Sequence, residues 1–74
     1  MNQYTFHYKI NSYVLGYSAY LKILVESSLE PQKEILNMAI IMSKETGIDV
    51  KEFIPIRKKE YKRNKDKHVY IVNK

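Results

Sequence analysis

The chain has 74 residues, with 13 Lys or Arg against 8 Asp or Glu, a net charge of +5 and no cysteine. So short a chain forms one domain with a thin core, burying only about 60% of its unfolded surface. Disulfides are excluded, and His7 and His68 stand too far from each other and from other ligand types to frame a structural zinc site, so neither metal nor cofactor is expected.

Oligomerisation, most simply as a homodimer, is the reinforcement left to a core of this size. Seven tyrosines and a hydrophobic fraction of 45% supply enough bulk to fold. The longest apolar stretch, Ile35 to Met42, is interrupted by Asn37 and falls far short of the roughly 20 residues that span a bilayer. Met1 to Tyr8 carries no cation ahead of its apolar residues, unlike a secretory signal, and a cytoplasmic protein is expected.

In chain order, Tyr4, Phe6, Tyr8 and Ile10 alternate with Thr5, His7 and Lys9, the period-two pattern of a half-buried strand. Asn11 and Ser12 are turn formers, and Gly16 suits a bend or bulge. A second alternation follows, with Tyr17, Ala19, Leu21, Ile23 and Val25 on one face and Ser18, Tyr20, Lys22, Leu24 and Glu26 on the other. The two form an antiparallel hairpin over about residues 3–26, with Tyr13, Val14 and Leu15 belonging either to a wide loop or to the strand ends.

Ser27 and Glu30 have the spacing of a capping box, Pro31 suits a first helical turn, and Gly47 suits a left-handed C-cap. These signals predict a helix over about residues 28–46. At 100° per residue, Ile35, Leu36, Met38, Ala39 and Met42 share one stripe. Ile41 falls beyond that stripe, beside Glu34 and Asn37; an isoleucine there is commonly a scattered surface apolar residue, or, with Ile40 on the other flank, it marks a contact with a second molecule.

Asp49 and Glu52 could open another helix, but Pro55 would interrupt it, whereas an edge strand tolerates proline. The expected strand begins at Phe53, runs toward Tyr61, turns over Arg63 to Asp66, and returns as His68 to Val72. This second hairpin, over about residues 52–73, completes a single α+β domain of order ββαββ. One antiparallel sheet of two hairpins is expected, covered on one face by one helix.

Arg57, Lys58, Lys59, Lys62, Arg63, Lys65 and Lys67 crowd seven cations into eleven residues, with Tyr61 among them. Such a block favours polyanions: phosphates need mobile cations, and unpaired bases need flat aromatic surfaces, which Tyr61, Tyr20, Tyr4 or Tyr8 could offer if they face water. Nucleic acid is therefore the first expected partner, although no known nucleic-acid module is matched. Lysines also protect sheet edges from aggregation, and alternating tyrosines usually pack in cores.

A protein partner is the alternative. Edge strands, Ile40 and Ile41, and the adaptable Met38 and Met42 suit docking on a larger, acidic or nucleic-acid-handling protein. The bias toward Lys, Ile, Asn and Tyr is that of an AT-rich genome, and small basic domains of this kind occur as accessory or inhibitory proteins of phages and mobile elements. Catalysis ranks third. A metal-independent ribonuclease would need His7 or His68 near Lys9, Tyr70 and Arg57, and no spacing forces them together. Two glycines, Gly16 and Gly47, cannot build a phosphate-binding loop. A basic amphipathic membrane helix ranks last, since Pro55 interrupts the basic segment and it holds too few apolar residues at helical spacing; no membrane partner and no small-molecule substrate are expected.

Overall fold

The computed structural model of the chain describes residues 1–12, 16–64 and 66–74. Two eleven-residue strands, β1 (Asn2–Ser12) and β2 (Tyr17–Ser27), pair antiparallel from Asn2 opposite Ser27 to Ser12 opposite Tyr17. Gly16 has a φ of 74°, the left-handed region that glycine enters without steric cost. Tyr13, Val14 and Leu15 lie outside the described residues.

The first helix, α1 (Pro31–Thr46), begins three residues later than the capping signals predict. Glu30 occupies the N-cap without a side-chain hydrogen bond, while the Ser27 hydroxyl accepts from the Leu29 amide. Pro31 opens the helix, where a missing amide hydrogen costs nothing, and Gly47 ends it at a φ of 77°. Its inward stripe is rotated from the expected one. Glu34, Met38, Ala39 and Met42 are buried and Ile41 packs against the core, whereas Leu36 is 60% exposed and Ile40 is also exposed.

Beyond α1, a 3-10 turn (Val50–Glu52) leads into β3 (Phe53–Ile56), then a second helix, α2 (Lys58–Arg63), and finally β4 (Val69–Asn73). Asp49 accepts from the Lys51 amide and caps that single turn, so its capping signal serves a much shorter element than a full helix. β3 lies antiparallel beside β1 on one edge, with Pro55 opposite Tyr8, and the sheet order is β3-β1-β2-β4. Proline at an edge matches the expectation for this segment.

The second hairpin does not form. β4 lies at the far edge, parallel to β2, so the antiparallel-only ββαββ arrangement gives way to a mixed four-stranded sheet with two helices. Residues 57–68 carry the chain across the sheet, and about a dozen residues are what a crossover between parallel strands requires. Strands β2, β3 and β4 run in one direction. The α1 crossover passes from β2 to β3 and the α2 crossover returns from β3 to β4; equal handedness therefore places them on opposite faces.

Core residues Phe6, Tyr8, Ile10, Ala19, Leu21, Ile23 and Val25 face α1, joined by Met38, Met42, Ile48 and Phe53. The Tyr8 hydroxyl donates to the Ile35 carbonyl at 2.5 Å, tying the centre of β1 to the first turns of α1. Burial, with the nearby Glu34 carboxylate second, holds that phenol well above its ordinary pKa.

Tyr8→Phe removes this bond while the carbonyl keeps its helical partner, so a loss of about 0.5–1.5 kcal/mol is expected in urea denaturation at pH 7. Because the folded-state pKa is raised, stability declines as pH climbs past about 10, where the unfolded chain releases the proton first. The variant flattens that alkaline decline.

Candidate nucleic-acid interface

The sheet face opposite α1 carries His7, Lys9 and Asn11 from β1 and Ser18, Tyr20 and Lys22 from β2, paired as His7 with Lys22, Lys9 with Tyr20 and Asn11 with Ser18. The α2 crossover lies on this face. Its sequence, Lys58-Lys59-Glu60-Tyr61-Lys62-Arg63, consists mostly of residues with good helix propensity and has one apolar anchor. Lys62 and Arg63 in the last turn and Glu60 in the first suit the helix dipole, whereas Lys58 and Lys59 in the first turn oppose it. The Asn64 side chain donates to the Glu60 carbonyl and closes the C-terminal end.

Tyr61 is 9% exposed, with its ring centroid 4.7 Å from that of His7, itself 8% exposed. This corrects the expectation of Tyr61 as a stacking platform for bases: its ring covers the sheet. Tyr8 and Tyr20 are likewise buried and Tyr4 is half-buried, while Tyr17 and Tyr70 present exposed rings. Burial, then the charges of Lys22 and Lys58, keep the His7 pKa below its ordinary value, so the imidazole beneath Tyr61 is neutral at pH 7.

The cations around this anchor divide among three depressions. Lys9, Arg57, Lys59 and Arg63 line a cleft of about 820 Å³ between β3 and α2, with Glu60 its one carboxylate. Lys67 lines a second cleft, of about 630 Å³, with Lys9, Ser18, Tyr20, Asp66 and His68. Lys58 turns the other way, into a smaller cleft shared with Lys22, His7 and the apolar Phe6, Ile35 and Ile56. Lys62 is exposed and lines none of the three, and Lys65 lies outside the described residues.

Among the described residues, the ion pairs are Lys51 with Asp49 and Lys74 with Glu45, both away from α2. The charge of Arg57, Lys58, Lys59, Lys62, Arg63 and Lys67 is therefore not neutralised by a contacting carboxylate. Lys9 and Lys22 join the basic face from the first hairpin. Their signal was the alternation itself, which put two lysines and His7 on the strand faces opposite the apolar residues.

The remaining candidates separate. His7 is sealed under Tyr61, whereas His68 immediately precedes β4 and has its ring stacked on Tyr17 at 3.8 Å, so the two histidines occupy different surroundings. Ile40 is exposed on α1, and Ile41 is half-buried and packs against the core. Among the described residues, no group of three or more His, Cys, Asp or Glu is placed to hold a metal ion, and no helix is long and apolar enough to cross a membrane.

No protein-family model matches the chain, and no similar protein was found among curated proteins or solved structures.

Since the His7 pKa is lowered on folding, the unfolded chain takes up a proton first as pH falls below about 6.5. Stability is thus held above that pH and lost on acidification toward the folded-state value. His7→Leu is expected to reduce the fall in melting temperature between pH 7 and pH 5, a window above the main carboxylate titrations.

Proposed function

We propose that the chain is a non-enzymatic binding module that holds a polyanion, most simply nucleic acid, against the basic face built by α2 and the first hairpin, and that it acts in the cytoplasm. One observation carries this reading: Lys9, Arg57, Lys59 and Arg63 converge on one concave cleft that contains a single carboxylate. A merely solubilising set of lysines has no need to converge, and like charges brought together repel one another until a polyanion neutralises them. Arginine adds forked donors that suit phosphate oxygens.

A second reading rests on a different surface. β4 contributes Val69-Tyr70-Ile71-Val72-Asn73 to a sheet edge, with Tyr70 46% and Ile71 63% exposed and no charge or proline within the strand. Edges of this kind accept another strand. That supports an accessory or inhibitory protein of phage or mobile-element type, docking on a host protein or on a second copy of itself. Ile40 and the basic face would extend such a contact.

A salt titration of binding to random-sequence oligonucleotides separates the two. Neutralising four phosphates gives a slope of log affinity against log salt of about −3 to −4, and Lys59→Glu with Arg63→Glu is expected to abolish binding. Retained affinity in that double variant would remove the basis of the polyanion reading. Ile71→Gln, which removes the exposed apolar side chain without adding a charge beside Lys22, is expected to leave nucleic-acid binding intact while weakening any self-association seen by light scattering.

A further inference from the structure

We infer that the polyanion is a single strand of nucleic acid, with its phosphates in the two clefts that meet at Lys9 and one base stacked at the exposed Tyr17–His68 pair. The inference rests on the polyanion reading and specifies its ligand. Lys9 lines both the cleft of Arg57, Lys59 and Arg63 and the cleft of Lys67 and His68, so the cationic lining continues from the β3 edge toward the β4 edge. His68 links this track, around the end of the sheet, to an aromatic surface on α1's side, since Tyr17 has the same strand parity as Ala19 and Leu21. It lines the second cleft, and its ring stacks on Tyr17 with centroids 3.8 Å apart and planes inclined by 30°.

Tyr17 and Tyr70 are the two described tyrosines with exposed rings, and their hydroxyls lie 3.1 Å apart. Cations in concave clefts followed by an exposed aromatic face are the two ingredients of single-strand binding, since any base offers a stacking face once it is unpaired. A duplex fits less well. Its phosphates lie on a stiff cylinder, and groove reading uses a protruding helix or ribbon. Here α2 is six residues long and turns its one apolar side chain, Tyr61, onto the sheet.

The test compares a fluorescently labelled twelve-nucleotide oligothymidine with a mixed-sequence duplex of equal length at low salt, for the native chain and for Lys9→Gln, Tyr17→Ala and Tyr17→Phe. The single strand is expected to bind at least tenfold tighter than the duplex. Tyr17→Ala is expected to lose about fivefold or more in affinity with an unchanged salt slope, as a stacking contact requires, while Tyr17→Phe binds like the native chain. Lys9→Gln is expected to lower the salt slope by about 0.7.

Equal or tighter duplex binding, or equal loss in the Ala and Phe variants, would overturn the single-strand inference and leave the polyanion reading standing. Absence of salt-dependent binding to either probe would overturn the polyanion reading itself. Circular dichroism of each variant establishes that the fold is retained.

Discussion

The eleven-pair ladder between β1 and β2 is the constraint on which the rest of the molecule depends. Strand side chains alternate between faces, so this one register sends Tyr4, Phe6, Tyr8 and Ile10 toward α1 and His7 and Lys9 toward α2. A slip of a single residue would exchange the two sets, burying lysines and exposing aromatic rings. Both later strands inherit the same sorting: β3 places Phe53 beside Ile10, and β4 places Val72 beside Ile23. The core and the basic face are therefore two products of one pairing.

Covering the sheet on both sides distinguishes this molecule from a simple two-layer domain. Around His7, Tyr8, Tyr20 and Leu21 adjacent strand residues are all buried, because α1 lies over one face and α2 over the other. Farther along β2 the usual alternation returns, with Leu24 and Glu26 exposed between Ile23, Val25 and Ser27. The second layer is slight, a short helix anchored by Tyr61, yet it brings Arg57, Lys59 and Arg63 beside Lys9. A segment with one buried ring can afford a surface that is otherwise nearly all charge.

Much of this was legible in the residues. Alternation located the first hairpin, Pro31 and Gly47 bracketed the helix, and Pro55 marked an edge strand. The second half was harder for a physical reason. Tyr61 is the one large apolar residue between Arg57 and His68, so hydrophobic periodicity had nothing to register, and a charged helix looks like a charged turn. Helix propensity in Lys58 to Arg63 and the dozen residues separating β3 from β4 were the available signals for a crossover. The burial of Glu34 and the exposure of Leu36 follow from a small rotation of α1 about its axis, which docking onto the sheet decides and helical periodicity alone does not.

The parallel seating of β4 on β2 also sets the order in which the molecule can assemble. Tyr20 meets Val69 and Leu24 meets Asn73 across a separation of nearly fifty residues, whereas Ser12 and Tyr17, paired at the end of the first hairpin, are close neighbours in sequence. Loop-closure entropy makes the local hairpin form early and the distant parallel pairing form late. Until β4 arrives, the outer edge of β2 is an unfinished template, and Tyr61 is the buried anchor of the described residues that cross the sheet. The surface that gathers the cations is thus among the last parts of the fold to be completed.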